Sequence, residues 1–168
     1  MFDLNYIEIF KNISPQFATF LIAMIPVAEL RVALPLAITA YKLSLWEALF
    51  FSILGNIVPV FFILYFVEPF TEFLMKHSRI FKSFFTWLFK RTRIKFAGNY
   101  EKYGLLALAI FVAIPLPMTG AWTGALAAFL FQIPKKQAAI YILLGIFCAA
   151  IIVTFLTFST LGTINLFK

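Results

Sequence analysis

Glu29 and Arg31 stand two residues apart between Pro26 and Pro35, inside an apolar stretch running from about residue 17 to 41. An ionisable side chain deep in an apolar membrane helix costs on the order of 2.5–3.5 kcal/mol on insertion scales, so two together need a reason. On a regular helix, residues two apart do not face each other. At an unwound tip they can. Two readings follow. Either Glu29 is a proton or cation site and Arg31 an anion anchor, or the two neutralise each other, with Arg31 able to hold the tip by bonding broken-helix carbonyls.

A second constellation places Thr119, Trp122 and Thr123 around Gly120 and Gly124, directly after Pro115 and Pro117. Glycine permits close backbone approach and positive φ, hydroxyls and freed amides bind ligands, and Trp supplies a flat apolar wall. Helix N-termini at such a break favour an anionic group. The competing reading is tight packing of one tip against another. Asn56 and Pro59, after Gly55, are expected to break the middle of a further apolar stretch. The Asn56 amide either bonds carbonyls freed by Pro59 or lines a pathway. Glu47 and Glu68 lie near the ends of that stretch and read as interfacial. No nucleophile, base and orienting group come together and no phosphate loop is present, so no enzyme is expected. Cys148 is single and His77 has no ligand set beside it, so no disulfide, metal site or cofactor is expected.

These residues must be positioned by apolar helices. Hydrophobic residues make up 63% of the 168-residue chain and charged residues 12%, against roughly 25% charged in soluble domains. A soluble fold of this size cannot hide that much apolar surface. The chain reads as an all-α integral membrane protein. Its net charge of +7 is concentrated, with eight of the fourteen basic residues between Lys76 and Lys102. A basic block between apolar stretches fits a cytoplasmic loop rather than nucleic-acid binding.

Four apolar stretches are evident, at roughly 17–41, 45–70, 103–134 and 137–167. The second and fourth are long enough to cross a bilayer. The first and third are cut by Pro26 and Pro35, and by Pro115, Pro117, Gly120 and Gly124, into arms of about 15–18 Å, half a bilayer. Such arms suit re-entrant hairpins, whose irregular backbone is tolerated where protein or water shields it; a kinked single crossing is the alternative. The halves also match. Ile25-Pro26 corresponds to Ile114-Pro115 at an offset of 89, and Ser44, Glu47, Ala48 and Leu54-Gly55 to Pro134, Gln137, Ala138 and Leu144-Gly145 at 90. Interrupted segments at matching positions of two halves point to the site of an inverted-repeat transporter.

The expected organisation is a single membrane domain with an interfacial segment at 1–16, repeat 1 at 17–70, a basic cytoplasmic linker at 71–102, repeat 2 at 103–160 and a tail at 161–168. Each repeat is a re-entrant hairpin followed by a transmembrane helix. With the linker inside, ten basic residues fall inside and Lys11, Lys42 and Lys168 outside, which puts both termini outside. Residues 72–92 read as an amphipathic interfacial helix, with Lys76, Arg79, Lys82 and Lys90 meeting anionic lipid; packing against the hairpins is the alternative. Two hairpins and two crossings make a thin wall around a cavity, so a homodimer is expected.

The strings Ile25-Pro26-Val27-Ala28-Glu29-Leu30-Arg31-Val32-Ala33-Leu34-Pro35, Gly55-Asn56-Ile57-Val58-Pro59 and Ile114-Pro115-Leu116-Pro117-Met118-Thr119-Gly120-Ala121-Trp122-Thr123-Gly124-Ala125 resemble the small multidrug export family. The resemblance covers nearly the whole chain, and it departs from the family pattern at Met118 and Val32. That family is similar, distantly, to DedA-like membrane proteins built from two inverted repeats. The resemblance implies transport, either proton-coupled export of small cationic or amphipathic compounds or translocation of anionic lipid carriers such as polyprenyl phosphate. A non-transport role in membrane assembly is the third reading. Carried over, Glu29, Arg31, Asn56, Thr119, Trp122 and Thr123 would surround a central cavity.

Overall fold

A computed structural model describes residue 10 and residues 12–96, 100–116 and 119–166. Pro117, and residues 1–9 and 11 of the 1–16 segment, lie outside the described residues. Among the described residues there are seven helices and no strand: α1 (Pro15–Met24), α2 (Glu29–Thr39), α3 (Leu45–His77), α4 (Arg79–Phe96), α5 (Tyr100–Ala113), α6 (Ala121–Leu130) and α7 (Lys135–Leu166). The chain divides into two compact units, Met1–Val58 with Ile146–Lys168, and Pro59–Gly145.

In the first unit, Ser14 opens α1. Its Oγ accepts from the Phe17 N–H at 3.4 Å, and Pro15, with no N–H to satisfy, takes the first helical position. Pro26 closes the helix, because a residue before proline is pushed out of the α region; Ile25 sits at φ −73°, ψ 129°. The Ile25 carbonyl then accepts from Ala28 N–H at 3.1 Å and Glu29 N–H at 2.9 Å. Through this turn α2 packs against α1, with Ile22, Ala23, Ala28 and Ala33 in one buried cluster.

Pro35, read from sequence as a break, lies inside α2. The helix loses only the bond that residue 35 would have given the Arg31 carbonyl, and the Thr39 hydroxyl donates to the Pro35 carbonyl at 2.7 Å one turn on. Pro59 likewise lies inside α3 without ending it. At the start of α3, Ser44 and Glu47 form a capping box: Ser44 N–H donates to Glu47 Oε2 at 3.1 Å and Glu47 N–H to Ser44 Oγ at 3.4 Å. A Cβ on Gly55 would lie 2.2 Å from the Phe20 carbonyl oxygen and 2.8 Å from Ala23 Cβ. Only glycine lets α3 come this close to α1.

The second unit contains the same contact. A Cβ on Gly145 of α7 would lie 2.7 Å from the Ala109 carbonyl oxygen and 2.6 Å from Val112 Cβ of α5. Gly145 is 90 residues after Gly55, while Ala109 and Val112 are 89 after Phe20 and Ala23. Lys42 and Gln132, also 90 apart, share a left-handed φ of 55° before α3 and α7 begin. Pro134 stands where Ser44 does; it has no N–H to cap, so Gln137 in place of Glu47 leaves nothing unsatisfied there. Gly124, expected to break a hairpin, is instead buried within α6, where its Cβ would meet Val112 Cγ2 at 2.5 Å. Gly120 does terminate an element: it caps α6 at φ 131°, ψ −168°, a region that excludes side chains.

The amphipathic segment expected over 72–92 divides at Ser78. α3 runs on to His77, whose Nδ1 hydrogen-bonds the Phe73 carbonyl at 2.9 Å, and α4 starts at Arg79. Leu45–His77 and Lys135–Leu161 are long and apolar enough to cross a membrane. Their burial pattern is that of a lipid solvent. Trp46, Phe50, Phe62, Phe66 and Phe70 of α3 face outward, while Ala48, Ser52, Asn56 and Val60 are buried. Small residues inside and aromatics outside reverse the order of a soluble helix.

The glycine contact gives the first prediction. Gly55→Ala forces α1 and α3 apart and should cost about 1–3 kcal/mol, read as a lowered unfolding temperature in detergent. An unchanged temperature would contradict a backbone-to-backbone approach at this point.

Candidate functional site

Glu29 sits where the turn meets α2, and its backbone is left-handed, at φ 50°. For a residue with a side chain this costs of order 1–3 kcal/mol. The conformation explains how residues two apart come to face each other: regular helix begins only beyond Glu29. Arg31 Nη2 donates to Glu29 Oε2 at 3.1 Å, with side-chain exposures of 19% and 4%. The ion pair is thus nearly removed from solvent, where an unpaired carboxylate would cost several kcal/mol. Strained backbone and a buried ion pair meet at one residue, a combination that clusters at functional sites.

Asn56, in the same unit, is 3% exposed, and its Oδ1 has no hydrogen-bond partner among the described residues. Pro59 releases the Gly55 carbonyl, but the unmatched atom is an acceptor, which such a carbonyl cannot satisfy. Ser52 lies one turn earlier on the same face; it is fully buried and its Oγ is also unpartnered. Sequence reading overlooked Ser52. The signal was there, in its spacing of four from Asn56 along one face of α3. By contrast, the hydroxyls of Thr19, Thr71, Thr154 and Thr157 all donate to the carbonyl four residues back, at 2.7–2.8 Å. Ser52 and Asn56 are therefore a polar seam that local bonding leaves open.

In the second unit, the Thr119 hydroxyl organises its own turn. It accepts from Leu116 N–H at 3.2 Å and lies 2.7 Å from both the Ile114 and Leu116 carbonyls, to either of which it can donate. Thr123 donates to the Gly120 carbonyl at 3.3 Å. Trp122 is half-buried at the start of α6. Pro26 and Pro115 lie in the connections before α2 and α6. Of the residues singled out from sequence, the structure pairs Glu29 with Arg31, adds Ser52 beside Asn56, and gives the threonines of the second tip a turn-shaping role. Among the described residues no group of three or more His, Cys, Asp or Glu could hold a metal ion.

Two predictions follow from this geometry. Arg31→Gln takes the guanidinium away from a buried carboxylate and should cost about 3–5 kcal/mol, whereas Glu29→Gln with Arg31→Gln should recover most of that loss. A double variant no more stable than Arg31→Gln alone would show that the two do not act as a pair. Ser52→Ala should leave the unfolding temperature unchanged or raise it, because it removes an unmet hydroxyl; a loss above about 1 kcal/mol would mean the hydroxyl is bonded.

A model of the family described as "Putative small multi-drug export protein" matches residues 29–152. The match opens on Glu29 and takes in Ser52, Asn56 and the turn at Thr119. No curated protein and no solved structure matches the chain.

Proposed function

The chain belongs to the Putative small multi-drug export protein family, and on that premise we propose that it is a membrane transporter exporting small cationic, amphipathic compounds in exchange for protons at Glu29. The buried Glu29–Arg31 pair on strained backbone carries the reading. With Glu29 ionised, Arg31 holds its carboxylate. A substrate cation competes for that carboxylate, and a proton arriving on Oε2 neutralises it and releases the cation. Proton and substrate thus exclude each other at one group, the requirement for exchange. Asn56 and Ser52 continue the polar path.

Alternating access would come from two inverted repeats. The matching contacts of Gly55 and Gly145, and of Lys42 and Gln132, support a repeat of one helical plan. At ten and eleven residues, α1 and α2 each span about 15–17 Å, half a bilayer, and act as a re-entrant pair. α4 would lie on the inner leaflet. Its Ile80, Phe84 and Trp87 are exposed, suited to acyl chains, while Lys76, Arg79, Lys82 and Lys90 meet anionic headgroups. Both termini are then outside. A homodimer would complete the wall around the path.

Proteoliposomes test this. A panel of lipophilic cations should trigger proton movement through the wild type, and Glu29→Gln should abolish it. Silence across the panel from folded protein would overturn the reading and turn attention to anionic lipid at Arg31.

A further inference from the structure

We infer that the unit formed by Pro59–Gly145 carries a binding site for a monovalent lipophilic cation, separate from Glu29. A cavity of about 610 Å³ lies between the second half of α3 and the junction of α6 with α7, within the 300–1,000 Å³ range of small-ligand sites. Leu64, Met75 and Phe129 furnish apolar walls. Methionine is flexible and polarisable, a surface that accepts ligands of varied shape.

Three charged groups line the same cavity: Glu68, Glu72 and Lys135. Lys135 Nζ is held 2.6 Å from Glu68 Oε2 and 5.8 Å from the centroid of the Tyr65 ring. Lys135 opens α7, at the positive end of the helix dipole, in a first turn without an acidic residue. Glu68 is the group that offsets it. Glu72, exposed one turn further along α3, has no ion-pair partner among the described residues; Lys76, Arg79 and Lys82 line a neighbouring cavity with it, but none forms a salt bridge to it. The lining of this cavity thus holds two carboxylates and one ammonium, and Glu72 is the carboxylate that no described residue pairs. Apolar walls and an unpaired carboxylate fit a ligand with one positive charge spread over an apolar body.

The cavity adjoins the basic segment that begins at Lys76, the end of α3 assigned to the cytoplasmic face. A loading site there would collect cations from the inner leaflet before they reach Glu29. That role rests on the export reading; binding itself does not.

Equilibrium dialysis of the full-length protein with tetraphenylphosphonium tests the site. The wild type should bind saturably. Glu72→Gln should weaken binding at this site at least tenfold, whether or not Glu29→Gln removes a second site. Lys135→Gln, which removes the cavity's ammonium, should tighten it severalfold. Tetraphenylborate, an anion of the same shape, should not compete. Unsaturable binding, a Glu72→Gln variant binding like wild type, or equal competition by the anion would overturn the inference. Proteoliposome transport that proceeds while Glu72→Gln binds normally would remove this site and leave the export reading standing. Binding that depends on Glu72 without transport of any cation would do the reverse.

Discussion

Backbones that touch hold this chain together. Helices of ten or eleven residues are too short to be stable by themselves, and in an apolar solvent no hydrophobic drive pushes them together. What remains is close packing. At Gly55, Gly124 and Gly145 the space a methyl group would need is already filled by a neighbouring helix. Val112 occupies both gaps of its unit, one against α6 and one against α7. Small buried residues on α1, α2 and α6 extend the same principle. Bulk is sent outward, where Phe62 and Phe66 stack on the exposed face of α3 with ring centroids 4.4 Å apart.

That frame makes the turn at Ile25 possible. A single carbonyl accepts two amides there, and the chain re-enters helix through a left-handed glutamate. The strain at Glu29 and the burial of its carboxylate have a common origin, since the unusual φ turns the side chain toward Arg31. Relaxing the backbone would part the pair. The second connection reaches a similar end by other means, with Gly120 taking the unusual φ and Thr119 satisfying the turn. An asymmetry of chemistry is thus laid over matching helical plans: one connection carries an acid and a base, the other hydroxyls and an indole.

Much of this was legible in the sequence. The apolar runs located the long helices, because membrane helices announce themselves by composition and length, and the offset of about 90 residues aligned Gly55 with Gly145 without foretelling what each would touch. Proline was the less dependable sign. Pro35 and Pro59 were read as breaks but lie inside helices, since one lost hydrogen bond is tolerated where neighbouring helices hold the element in place. Gly124 misled in the same way, because glycine serves close approach as well as chain reversal. Ser52 went unnoticed because a lone serine in a helix looks satisfied by its own backbone; only burial showed that its hydroxyl has no partner. The cavity at Glu72 joins α3 to residues more than fifty positions away, and no local pattern foretells it.

The central claim is that a cation and a proton compete for the Glu29 carboxyl. Infrared difference spectra of the protein in lipid, recorded as a lipophilic cation is added, address it directly. In protein first acidified so that Glu29 is protonated, the carboxylic-acid carbonyl band should lose intensity as the cation binds, and Glu29→Gln should remove this change. A spectrum in which cation binding leaves every carboxyl band unchanged, or in which the change survives in Glu29→Gln, would contradict it.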